Sequence, residues 1–107
     1  MAPLREIVDA EIVRILRRHR SFVESAREAP ATWELHGHAL RWYVILRDVA
    51  EPDIDLEILE DVIIVRAAVG ETVHQSVLPV PAACRAERPS FRFRAETLEV
   101  RLKVRIP

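Results

Sequence analysis

At 107 residues the chain has the length of one domain, which excludes two independent cores. Half of the residues are apolar and 31% are charged, a balance that supports a packed core and excludes disorder over most of the length. The 16 basic and 17 acidic side chains leave a formal net charge of -1, so there is no general pull toward nucleic acid or an anionic membrane.

The first ten residues carry acids among their apolar positions and lack the unbroken apolar run of a signal sequence. Charges also interrupt every longer apolar stretch, so neither export nor a membrane span is expected. The single cysteine, Cys84, leaves no internal disulfide and no zinc knuckle, and a reducing, cytoplasmic setting is expected.

Pro3 suits a first helical turn and Pro30 stops the segment, with neither Gly nor Pro between them. One helix of about 25 residues is therefore predicted, and residues 1–30 form an N-terminal amphipathic unit ahead of a domain over residues 31–107. Leu4, Val8, Ile12, Ile15, Leu16, Phe22, Val23 and Ala26 recur at steps near the helical period of about 3.6, and Ile7 and Val13 widen the stripe. Apolar area left in water costs about 25 cal/mol per Å², so the stripe must cover the rest of the protein or pair with another helix. Pairing, and hence at least a dimer, is the expectation. Arg14, Arg17, Arg18, His19 and Arg20 share the helix with Glu6, Asp9, Glu11, Glu24 and Glu28, so they read as a solvated face rather than a phosphate site.

After Pro30 the apolar period becomes two. Residues 33–38, 41–47, 53–58, 62–66, 73–78, 91–94 and 98–102 are each strand-length and mostly alternating or β-branched. Breaks fall at residues 50–52, 60–61, 70–71, 79–89 and 95–96, and no helical period intervenes, so a parallel βαβ architecture is excluded. An antiparallel β-sandwich is predicted, with Ile54, Leu56 and Ile58 facing in and Asp53, Asp55 and Glu57 facing water. Residues 31–71 hold three Arg against nine acids, whereas residues 72–107 hold seven bases against three acids. This asymmetry reads as a device for register and partner choice, since each exposed cross-strand pair contributes only about 0.2–1 kcal/mol.

The order of these segments resembles the α-crystallin domain of small heat-shock proteins over residues 33–106. Residues 53–67, Asp-Ile-Asp-Leu-Glu-Ile-Leu-Glu-Asp-Val-Ile-Ile-Val-Arg-Ala, look like that family's Asp-Ile strand start, acidic turn and Leu-x-Ile-x-Ala strand. Val77-Leu78-Pro79 looks like its Phe-x-Leu-Pro strand end, and residues 98–102 look like its final strand. The chain departs from the pattern where the family's signature Gly falls on Glu96 and its Ala on Phe91. It also lacks the Pro-Gly before Asp53 and the long swapping loop between Arg66 and Thr72. CS-domain co-chaperones and the α-crystallin-like domains attached to some ArsA-type ATPases lack that loop too.

The resemblance implies an immunoglobulin-like antiparallel β-sandwich behind one amphipathic helix. It further implies an ATP-independent stress-response chaperone that binds unfolded client proteins and itself, as a dimer or larger homo-oligomer, with no cofactor. Its groove would lie between the strand of Ile54, Leu56 and Ile58 and the strand of Phe91 and Phe93. Ile12, Leu16, Phe22 and Val23 would offer a second client or assembly face. Val104-Arg105-Ile106 has the form of the family's Ile-x-Ile tail peptide, and equally continues the last strand. The alternative is a non-catalytic interaction module of the CS-domain or ArsA-associated kind, recognising one folded partner.

Catalysis finds no support in these residues. His36 and His38 have a spacing that can hold Zn, Ni or Cu on a strand face, but no third ligand is adjacent, and two surface histidines are the favoured reading. Cys84 has Arg85 and Arg88 nearby and no Asp-His pairing. Two glycines make no phosphate loop, and the acids of residues 48–61 do not follow an EF-hand order. Trp42, Phe91 and Phe93 fall at inward positions, which favours core packing over stacking on bases.

Overall fold

The computed structural model describes residues 3–19 and 27–105. Helix α1 (Leu4–Arg18) starts on Pro3, whose carbonyl accepts from the Glu6 and Ile7 amides at 3.0 and 3.2 Å. Glu6 in the first turn and Arg17 and Arg18 in the last complement the helix dipole.

Eight strands follow: β1 (Arg27–Glu28), β2 (Ala31–His36), β3 (Ala39–Ile45), β4 (Ile54–Ile58), β5 (Val62–Val69), β6 (Thr72–Pro79), β7 (Ser90–Arg94) and β8 (Thr97–Lys103). They form two four-stranded sheets in the orders β1-β6-β5-β4 and β2-β3-β8-β7. All pairs are antiparallel except the short β1 on β6. The seven segments expected from alternation correspond to β2–β8, and the predicted sandwich is the observed fold.

Inward positions of both sheets supply one core, with Leu40, Trp42 and Val44 of β3 and Leu98, Val100 and Leu102 of β8 against Ile63, Val65 and Leu78. The polar end of Trp42 is satisfied by donating from Nε1 to the Pro79 carbonyl at 3.1 Å, which ties the two sheets together. Short turns set the registers. Gly70 has φ +59° at the first position of the two-residue turn joining β5 and β6, and Gly37 at φ +56° plays the same part between β2 and β3.

One expectation for the N-terminal unit is corrected. The helix stops at Arg18, with His19 as its C-cap, and Arg27–Glu28 form a strand on β6 rather than a final helical turn. At that end His19 and Arg18 are held by Asp61 in the turn between β4 and β5. The stripe divides between the sandwich and solvent, with Ile7, Val13 and Leu16 left exposed. Leu4, Val8 and Ile12 join the sandwich core beside Trp33 and Leu35 of β2, and Ile15 packs on Val62, Ile64 and Val77. Arg5 lies 5.0 Å from the centre of the Trp33 ring. Val62, Ile64 and Val77 alternate with the inward Ile63, Val65 and Leu78, so the C-terminal half of α1 lies over the outer face of the β5 and β6 pair and ends on Asp61.

Candidate functional site

One side of the sandwich is open. There β4 ends one sheet and β7 ends the other, and among the described residues each is bonded to one neighbour, β5 and β8 respectively. Alternate backbone amides and carbonyls of both strands therefore point sideways, available to an added strand. Ile58 at the end of β4 and Pro89 just ahead of β7 line one cavity, so the two strands run antiparallel to one another across the opening.

Ile54 and Leu56 of β4 and Phe91 and Phe93 of β7 are half-buried and pack on the core from this side. These four are the residues expected of a groove, and the structure brings them together. Ile58 departs from its expected inward place: it is 49% exposed, at the mouth of the cavity. That cavity, about 200 Å³, is also lined by Ile63, Val80, Cys84, Pro89 and Leu102, giving an apolar pocket at one end of the open edge. Val80 and Cys84 were hidden from sequence reading because residues 79–89 look like a break, although the apolar run Val-Pro-Ala-Ala-Cys over residues 80–84 is a signal for a buried loop.

Cys84 is buried beneath this pocket. Burial foremost, then the negative charge of Glu11, pushes its thiol up to about 11 against the opposing effect of Arg85, so the sulfur is a packing atom. Its neighbour Glu87 is held below the ordinary carboxylate range by the hydrogen bond from Arg105 at 2.6 Å, assisted by Lys103 at 3.8 Å.

The remaining expected residues fall elsewhere. Ile12 is buried in the core and presents nothing to a partner, whereas Leu16 is 41% exposed; Phe22 and Val23 lie outside the described residues. Val104 is also buried, with its amide donating to the His38 carbonyl at 2.7 Å, and the Arg105 amide donates to Ala83 at 2.8 Å. The segment thus continues the chain's own core and is not a free tail at Val104; Ile106 lies outside the described residues. His36 ends β2 and His38 sits in the following turn, so they do not share a strand face. Both line a shallow hollow of about 410 Å³ with Arg88, Arg101 and Lys103. No group of three metal-ligating side chains occurs among the described residues.

Charge divides the open edge. Asp55 and Glu57 stand on the solvent side of β4, just after the exposed Asp53, and Glu57 accepts from Arg66 at 3.1 Å. Arg92 and Arg94 stand on the solvent side of β7, with Arg101 beside Ser90 on β8. Glu99, opposite Arg92, is the acid on that face of the β7 and β8 pair, and it lies 3.7 Å from Arg41.

No family profile and no curated protein matches the sequence. Solved structures do match the fold. HSP18.5 from E. histolytica superposes with a TM-score of 0.64 at 13% identity, covering 72% of this chain and 88% of that one. Heat shock protein 16.0 from Schizosaccharomyces pombe gives 0.68 at 13% identity over 85% and 83% of the two chains. A mutant of hsp14.1 from Sulfolobus solfataricus P2 gives 0.61 at 15% identity over 89% and 91%. The two sheets, their strand order and these superpositions together show that the chain has the α-crystallin-like fold of the small heat-shock proteins.

Proposed function

We propose that this chain is an ATP-independent chaperone of the small heat-shock type, which holds partly unfolded proteins by strand addition at the open edge of its sandwich. The observation that carries the reading is the pairing of two free strand edges, β4 and β7, around the half-buried Ile54, Leu56, Phe91 and Phe93. Free backbone groups give affinity for any extended segment, and an apolar lining with a pocket at one end selects segments with alternate aliphatic side chains. Modest selectivity of this kind suits clients that share only exposed apolar sequence. The function is binding, without catalysis or a cofactor. Residues 1–30 act as a cover for the sandwich formed by residues 31–107, self-association accompanies client binding, and a free buried thiol suits a reducing cytoplasm.

A second reading, an adaptor that recognises one folded partner, is favoured by two observations: the two-residue turn between β5 and β6, and the burial of Val104. Light scattering from heat-denatured test proteins separates the two. Broad suppression at near-stoichiometric ratios without ATP is expected. A short Ile-x-Ile peptide should bind in the micromolar to millimolar range and shift amide resonances of β4 and β7. Absence of protection for several unrelated clients would overturn the chaperone reading in favour of the adaptor.

A further inference from the structure

The open edge carries opposite charge on its two strands, and this points to a specific occupant. On the solvent side β4 offers Asp55 and Glu57 after Asp53, and β7 offers Arg92 and Arg94. Arg66 engages Glu57, which leaves Asp53 and Asp55 without a cation among the described residues. Arg92, Arg94 and the neighbouring Arg101 make no ion pair among them either. On the inner side both strands are apolar.

We propose that a second copy of this chain docks on this edge, β4 of each copy adding to β7 of the other. The mode deepens the self-association included in the proposed function and does not depend on client protection. A two-fold axis running along the strands, between the two sheet layers, brings the β4 sheet of one copy level with the β7 sheet of the other. Because β4 and β7 are antiparallel across the opening, each added strand then lies antiparallel to its new neighbour. The same operation creates both junctions, so the contact is self-complementary and closes at two copies.

Both faces are satisfied with Ile58 opposite Phe91. Asp55 meets Arg94 and Glu57 meets Arg92 on the outside, while Leu56 meets Phe93 and Ile58 meets Phe91 on the inside, where the exposed part of Ile58 is covered. The other two-fold arrangement, with like sheets joined, would set Asp55 and Glu57 against themselves and Arg92 and Arg94 against themselves. Charge therefore selects the crossed arrangement. A dimer of this form masks the groove, so a client strand and the second copy compete for the same backbone groups.

Charge reversal gives a decisive test. One variant carries Asp55→Arg and Glu57→Arg, and a second carries Arg92→Glu and Arg94→Glu. Wild type should sediment as a dimer at high micromolar concentration, with concentration-dependent amide shifts confined to β4, β7 and their flanks. Each variant alone should sediment as a monomer with wild-type circular dichroism. An equimolar mixture should regain the dimer, because both of its junctions again pair acid with base, and so should one chain carrying all four substitutions. A monomeric wild type, dimeric single variants, or a mixture no more dimeric than its components would overturn the proposal. Should one variant fail to fold, wild-type amide shifts on dilution decide, and their absence from β4 and β7 overturns it. Client protection in the scattering assay stands or falls separately.

Discussion

His19 and Asp61, 42 positions apart, meet where α1 ends: Nε2 of the imidazole lies 3.0 Å from both carboxylate oxygens. Arg18 adds a bond from Nη1 at 3.0 Å, so one carboxylate in the turn between β4 and β5 holds the last turn of the helix against the sandwich. Partial burial works against charge on Asp61, but the hydrogen bond and charge of His19, a backbone hydrogen bond and Arg18 outweigh it and hold the carboxyl below its ordinary 3.8.

A depressed folded-state value means that the contact stabilises the protein above the ordinary value and is lost as pH falls through the folded one. Asp61→Asn should therefore lower stability by about 1–3 kcal/mol at neutral pH. Urea midpoints of wild type and variant should converge as pH falls through the depressed folded-state value, below which both carry a neutral side chain. Equal midpoints at pH 7 would show that the clasp contributes nothing.

The covering role of α1 predicts a contrast within one stripe. Ile12 is buried and Leu16 is 41% exposed. Ile12→Ala should cost about 2–5 kcal/mol, and Leu16→Ala under about 1 kcal/mol. If the helix instead stood away from the sandwich to pair with another chain, both substitutions would leave the unfolding of an isolated protomer unchanged.

The turn between β7 and β8 is a second place to measure strain. Ala95 at φ +50° and Glu96 at φ +62° are both in the left-handed region, as a two-residue hairpin with two positive φ values requires, and neither is glycine. Leu46 bonds the Glu96 carbonyl at 2.8 Å and helps to fix the turn. Relief of left-handed strain, less the entropy of a freer unfolded chain, gives Glu96→Gly a stabilisation of about 0.5–1 kcal/mol. A raised thermal midpoint is expected, and a lowered one would mean that the Glu96 side chain makes a compensating contact.

Cys84, with its thiol pushed up to about 11, should resist alkylation. At pH 8 the thiolate fraction alone makes iodoacetamide roughly a hundredfold slower than with a free cysteine, and burial slows it further. Addition of denaturant should restore ordinary reactivity. Fast labelling of the native protein would mean that the pocket beneath Ile58 opens readily.

The β-part was largely legible in the sequence because alternation in segments such as residues 53–58 and 98–102 depends on local burial alone. The opening between β4 and β7 followed only from the resemblance; no residue in either strand announces that it lies at an edge. Three features escaped. The end of α1 meets Asp61, far along the chain, while Phe22 and Val23 keep the helical spacing going past it. Strand β1 is two charged residues, too short to show a period. Glu96 stands where the resembled family has Gly, yet the backbone takes the left-handed conformation there despite the Cβ.

The Gly70–Glu71 turn has a kinetic meaning as well. With β5 and β6 joined by two residues, and β2 with β3 and β7 with β8 joined as tightly, every strand finds its partners within its own chain. No strand among the described residues has to be borrowed from a second copy. Refolding should then be first order, with a rate constant that does not change as the protein is diluted.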